Sequence, residues 1–171
     1  MAKVFLTRPL PQPAMDMIRT HCDLTWNPED TRLTTAQLIE ACRDVEALMV
    51  SGAAVTAELI EHAPRLRAVV NVAVGYDNVD VAACTRRRIL VTNTPGVVTE
   101  ATADLAFSLL MAVARRIVEA DRYVRDGNWK SWTWGCMWGT DLVGKTLGIL
   151  GFGRIGQAVA RRARGFSMRI L

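Results

Sequence analysis

Residues 145–171 read KTLGILGFGRIGQAVARRARGFSMRIL, an apolar strand, a glycine turn, a helix and the first residues of a second strand. Gly151, Gly153 and Gly156 fall at G-x-G-x-x-G spacing within it. In a dinucleotide-binding turn each has a physical job. Gly151 permits the tight turn, Gly153 lets backbone approach a pyrophosphate, and Gly156 lets helix and strand pack closely. The N–H groups at the helix start then face the phosphates. The spacing alone is a weak signal, since a structural glycine bend can share it. A buried strand over 147–150 and a helix over 154–164 supply the context that favours a nucleotide turn. The acidic residue that reads the ribose is expected about 20 residues on, at the end of the second strand. That position lies beyond Leu171.

A chain of 171 residues can hold one ordinary domain, or one small domain and part of another. Half of it is apolar (50%), ample for a core, and no apolar run has membrane-spanning length. The opening MAKVFLTRPLPQPAMD lacks the charged, apolar, small-residue order of a signal peptide. Cys22, Cys42, Cys84 and Cys136 are widely spaced, with no C-x-x-C pair, so neither a metal site nor a disulfide framework is indicated. A reducing cytoplasm is the expected compartment. The net charge of +4 raises the question of nucleic acid. Arg86, Arg87 and Arg88, Arg115 and Arg116, and Arg161 and Arg162 fall on separate predicted helices, without interleaved aromatics. They read as solvated helix faces, so no nucleic-acid partner and no membrane is expected.

Taken in order, the chain alternates strands with helices. Strands are predicted over 3–7, 23–26, 47–50, 67–73 and 89–93, and helices over 14–21, 35–43, 57–62 and 79–88. Thr34-x-x-Gln37 is a capping-box pattern, and Thr56 can cap the third helix. This rhythm predicts a parallel α/β sheet. The texture changes at Thr99. Residues 100–126 contain no Gly or Pro and predict one long helix, apolar on nearly every face in its first half and so buried on several sides. Its second half is amphipathic and should reach solvent. Residues 128–143 predict an irregular loop into which Trp129, Trp132, Trp134 and Trp138 crowd. They either pack on the chain's own surface or form a subunit interface, where Trp is enriched. The interface is the preferred expectation.

The other informative stretch is NVAVGYDNVD, residues 71–80. A strand ends there, Val74 and Gly75 form a turn, and a helix follows. Open α/β sheets bind ligands at strand C-terminal ends, and a glycine there leaves backbone N–H groups open to a carboxylate. A plain connection explains the residues equally well, with Gly75 supplying positive φ and Asp77 or Asp80 capping the helix.

VAVGYDNVDV, then VTNTPGVVTEATADLAFSLLMAVAR, then GKTLGILGFGRIGQAVARRARGF, in that order, resemble the D-isomer-specific 2-hydroxyacid dehydrogenases over essentially the whole chain. Within that family the glyoxylate and hydroxypyruvate reductases are most similar. The resemblance implies a flavodoxin-like substrate domain over 1–98, a connecting helix and Trp-rich, dimer-forming loop over 99–144, and the first strand–helix unit of a Rossmann domain over 145–171. It implies that backbone at Val74 and Gly75 holds a substrate carboxylate and that Val50 and Ser51 line the same pocket. Thr102 would face the nicotinamide half of NAD or NADP, although a helix hydroxyl bonded to its own backbone is the plainer reading. Gly151, Gly153, Arg154, Ile155 and Gly156 would hold the pyrophosphate. Asp104 reads as a structural or capping carboxylate. The resemblance places the family's catalytic arginine, glutamate and histidine beyond Leu171. No catalytic residue is therefore expected here, and His21 and His62 read as surface residues. Negligible turnover is expected of these residues alone. The competing expectation is a truncated, non-enzymatic binding or oligomerisation module.

Overall fold

The structure is a computed structural model describing residues 1–171. The chain divides into two compact units, Met1–Pro95 and Gly96–Leu171.

The first unit is a five-stranded parallel sheet with crossover helices. Its elements are β1 (Ala2–Leu6), α1 (Gln12–His21), β2 (Cys22–Trp26), α2 (Thr35–Cys42), β3 (Ala47–Val50), α3 (Ala57–Glu61), β4 (Ala68–Asn71), α4 (Val81–Arg86) and β5 (Leu90–Thr92). The strand order β2-β1-β3-β4-β5 is that of a flavodoxin-like doubly wound sheet. Local chemistry agrees with the elements. Pro13 sits in the first turn of α1, where a missing N–H costs nothing. Thr34 and Gln37 close a reciprocal capping box on α2, and Thr56 accepts the Leu59 N–H to start α3. The core lies between sheet and helices, with Leu48, Val50, Val69, Leu59 and Ile60 almost wholly enclosed. The strands around 67–73 and 89–93 are shorter than the apolar runs predict and are trimmed at both ends, to Ala68–Asn71 and Leu90–Thr92.

In the second unit, α5 (Thr99–Ala114) and α6 (Ile117–Arg125) precede β6 (Thr146–Leu147), α7 (Arg154–Arg164) and β7 (Arg169–Ile170). The strand expected over 147–150 pairs only through Thr146–Leu147, with the Ile149 N–H reaching the Leu171 carbonyl at 2.8 Å. The single long helix expected over 100–126 is broken at Arg115 and Arg116, the latter in the left-handed region at φ 54°. The cause is tertiary. The Thr140 N–H takes the Ala114 carbonyl at 2.6 Å, an acceptor that an unbroken helix would reserve for residue 118. Gly139 permits this approach, since a Cβ there would overlap the same carbonyl. The expectation that the first half is buried on several sides also fails. Ala103 and Phe107 are enclosed, but Leu105, Leu109 and Val113 are exposed. Within this unit α5 packs chiefly against α7, and its opposite apolar side is uncovered. Phe107, Leu142 and Ala163 form the small core, with the Phe107 and Phe166 rings 5.1 Å apart.

Candidate functional site

In the first unit the strands are parallel, so their C-terminal ends share one edge of the sheet. The loop after β4 is held there by three amides. Asn71, fully buried, donates to the Gly75 carbonyl at 2.6 Å and pairs with the Asn78 amide at 3.3–3.4 Å. Asn78 in turn donates to the Ala53 carbonyl at 2.8 Å, tying the loop to the one after β3. Asn93, just past β5, donates to the Val74 carbonyl at 2.8 Å. With both carbonyls engaged, the N–H groups of Val74 and Gly75 have no acceptor within the chain. Two adjacent free N–H groups on a rigid loop suit an anion.

Gly75 is not in the left-handed region, so the reading that it supplies positive φ is overturned. A Cβ there would stand 3.0 Å from Asp77 Oδ1, an exposed side chain with room to shift, so a side chain at this position is crowded only lightly. Asp80, not Asp77, caps α4 by accepting the Ala83 N–H at 2.8 Å. Val50 has its side chain in the core and its carbonyl on the Val72 N–H at 2.8 Å. Ser51 opens the loop beside it, its N–H held by Thr7 Oγ1 at 3.1 Å. Asn71, Asn78 and Asn93 were missed by sequence reasoning. The available signal was three amides at or near strand ends, where only backbone was considered.

In the second unit the glycine turn leads into α7. Gly151 has φ 96°, a conformation that excludes ordinary side chains. Gly153 is the N-cap residue, extended, with nothing within 4 Å of a would-be Cβ. A Cβ on Gly156 would overlap the Gly151 carbonyl oxygen and crowd Ile149 Cγ2. No side chain caps α7, so the N–H groups of Arg154, Ile155 and Gly156 are uncommitted. The Gln157 side chain braces the turn through the Phe152 carbonyl at 3.0 Å. An open cradle above Gly153 and an uncapped helix start fit a pyrophosphate.

Thr102 lies exposed in the first turns of α5, and its hydroxyl makes no bond to its own helix. Asp104 is paired, accepting from Arg162 Nε at 2.7 Å. The same guanidinium bonds the Glu100 side chain at 3.0 Å and the Ala158 carbonyl at 2.9 Å. This network clamps α5, which carries Thr102, to α7, which follows the turn. The hydrogen bond to Asp104, the largest influence, pushes the Arg162 pKa up still further. His21 and His62 are exposed at the C-terminal ends of α1 and α3, each bonded to a carbonyl of its own helix. Those helix ends face the opposite edge of the sheet from Val74 and Gly75. No grouping of His, Cys, Asp and Glu could hold a metal ion, and no helix is long and apolar enough to cross a membrane.

The family model for the D-isomer specific 2-hydroxyacid dehydrogenase catalytic domain matches residues 4–163. The chain belongs to the D-isomer specific 2-hydroxyacid dehydrogenase family. The dehydrogenases of this family are oxidoreductases, and similar proteins include the glyoxylate reductase of Thermococcus gammatolerans. That relative is 53% identical over 174 residues, 99% of this chain and 52% of its own length. An NAD-binding D-isomer specific 2-hydroxyacid dehydrogenase of Polaromonas superposes with a TM-score of 0.89 at 40% identity, covering 99% of this chain and 54% of that one. The NADPH-dependent glyoxylate/hydroxypyruvate reductase of Sinorhizobium meliloti, solved with citrate, gives 0.83 at 31% identity, covering 99% and 53%. The chain spans about half the length of the curated relatives it matches. At the level of the family, these dehydrogenases use a nicotinamide dinucleotide and act on small 2-oxo or 2-hydroxy acids.

Proposed function

We propose that this chain supplies the carboxylate anchor and the nucleotide turn of an NAD(P)H-dependent reductase of glyoxylate, hydroxypyruvate or a similar small 2-oxo acid. The observation that carries the reading is the pair of free N–H groups at Val74 and Gly75. Asn71 and Asn93 hold their carbonyls away, so the N–H groups stay oriented without a ligand. Ser51 borders the same edge, while Val50 supports it from the core. Gly151, Gly153, Arg154, Ile155 and Gly156 would hold the pyrophosphate of NAD or NADP, and Thr102 would face the nicotinamide half. When bound, the nicotinamide exchanges a hydride with the substrate carbon. What these residues do is bind and orient.

Reduction also needs a proton at the new hydroxyl, and neither His21 nor His62 stands at this edge. The 171-residue chain by itself is therefore a binding half with negligible turnover. The test is amide-resolved NMR on the 15N-labelled chain, titrated with glyoxylate and then with NADH. Glyoxylate should move Val74 and Gly75, and NADH should move Gly153 to Gly156. Unmoved Val74 and Gly75 amides at saturating glyoxylate would sink the anchor, and glyoxylate reduction at enzyme-like rates would sink the binding-half assignment.

The reading includes a homodimer formed through the Trp-rich segment. Trp129, Trp132, Trp134 and Trp138 are 47%, 63%, 82% and 69% exposed, and Trp132 and Trp134 stack edge to face at 4.6 Å. Exposed aromatic side chains in such number suit a partner surface of the same chemistry. Sedimentation should show concentration-dependent dimers, and a monomer at high concentration would overturn this part.

A further inference from the structure

The Thr102 hydroxyl has no partner within the chain, so its direction is set by how α5 is turned about its own axis. Apolar packing fixes that turn only loosely. The enclosed residues of α5 are Ala103 and Phe107, and those of α7 are Ala158, Ala160 and Ala163. One ring among alanines offers few ridges to stop a helix rotating. A side chain ends about 5–6 Å from the helix axis, so a turn of about 20° would carry the Thr102 hydroxyl about 2 Å.

Polar contacts supply the missing restraint, and they lie across the helix from Thr102. Glu100 and Asp104 are four residues apart and share one face of α5. Thr102, two residues from each, projects from the opposite side. Arg162 on α7 holds both carboxylates. It gives Nε to Asp104 Oδ1 at 2.7 Å, and Nη2 to the Glu100 side chain at 3.0 Å and the Glu100 carbonyl at 3.2 Å. Its Nη1 goes to the Ala158 carbonyl of its own helix at 2.9 Å, so every nitrogen of the fork is committed. Arg161 Nη2 takes the other Glu100 oxygen at 2.6 Å. At 21% exposure Arg162 is the least exposed of the ion-paired basic side chains. Two grips on one face, four residues apart, fix the rotation of a helix as a single grip does not.

We propose that Arg162 is a positioning residue for the nicotinamide half of the cofactor, acting through the rotational setting of α5 and hence through Thr102. The place of Thr102 at that half is the reading given under Proposed function, on which this assignment rests. The pyrophosphate end has no such dependence. Gly151, Gly153 and Gly156 lie in and just after the turn that opens α7, and the Gln157 bond to the Phe152 carbonyl braces them locally. Loss of the clamp should therefore weaken the grip on one half of the cofactor and spare the other.

That asymmetry is measured by titrating the 171-residue chain with NADH and with ADP-ribose, which lacks only the nicotinamide, in amide-resolved NMR. The parent chain should bind NADH more tightly than ADP-ribose, and only NADH should move the Thr102 amide. R162M should bind NADH about tenfold more weakly, the worth of one good hydrogen bond, and ADP-ribose as the parent does. R162K keeps the charge and the stem but cannot span three acceptors. It should melt close to the parent and show the same one-sided loss at smaller size, and it decides the matter if R162M fails to fold. T102V should match R162M, and the double variant should lose no more than either, because both act through one contact. Equal losses of NADH and ADP-ribose in R162M and R162K would make Arg162 a brace of the fold and overturn its positioning role. Unchanged binding of both ligands, or additive losses in the double variant, would overturn it too. A parent chain that binds ADP-ribose and NADH equally overturns the reading of Thr102, and this inference with it. A parent chain that binds neither overturns the glycine-turn reading as well.

Discussion

The Asn71 amide satisfies the Gly75 carbonyl and the Asn78 side chain from a fully buried position. Asn71→Leu keeps the branched skeleton but strands both partners, which costs about 1–3 kcal/mol for groups left unsatisfied in a closed site. Urea unfolding should register that loss, and glyoxylate should no longer move Val74 and Gly75. The two turn glycines separate folding from binding. Gly153→Ala meets open space, so thermal stability should hold while NADH affinity falls, because the methyl occupies the approach to the pyrophosphate. Gly156→Ala meets backbone at Gly151 that cannot swing aside, so it should lower both. Equal stability in the two variants would refute this division. Cys42 is enclosed, and burial pushes its thiol from 9.0 to about 12. A raised folded pKa favours the protonated native state, so this contribution to stability is complete below pH 9 and is lost as pH rises from about 9 towards 12. Cys42 should resist thiol reagents at pH 8 until the first unit opens, and prompt modification in native buffer would contradict its burial.

At the scale of elements, legibility followed the range of the interactions. The Thr34–Gln37 capping box, the Thr56 cap and the helix over 154–164 depend on residues within one turn of each other, and the sequence displayed them. Thr34→Ala should cost about 1 kcal/mol in urea unfolding, the usual worth of such a cap. The break between α5 and α6 depends instead on Gly139 and Thr140, far along the chain, reaching the Ala114 carbonyl. No local propensity records that contact, so 100–126 read as one helix. Gly139→Ala should drive the loop off Ala114, destabilising the second unit by about 1–3 kcal/mol, with faster exchange of the Thr140 amide. The candidate site was legible in the same uneven way. Its glycines stood out by spacing, and Val74 and Gly75 by family resemblance. The amides at Asn71, Asn78 and Asn93 act across three loops, through contacts that no local pattern records.

At the scale of the whole molecule, the two units differ in what holds them. The first has a closed core beneath a five-stranded sheet. The second has a two-stranded sheet, a small cluster around Phe107, and surface ion pairs joining Arg161 and Arg162 to Glu100 and Asp104. A two-stranded sheet is marginal in water, and exposed ion pairs add little and weaken with salt. Native-state hydrogen exchange should therefore find the strongest protection in β1, β3 and β4, and weak, salt-sensitive protection in β6, β7 and α7. If a second copy covers the tryptophans and the Leu105–Leu109–Val113 side of α5, amides of α5 and the Trp-rich segment should gain protection as concentration rises. Those of β1, β3 and β4 should not, because their closure is internal to one chain. Strong, concentration-independent protection throughout the second unit would mean that its apolar surface is not an association surface, and that its fold is self-sufficient despite the small core.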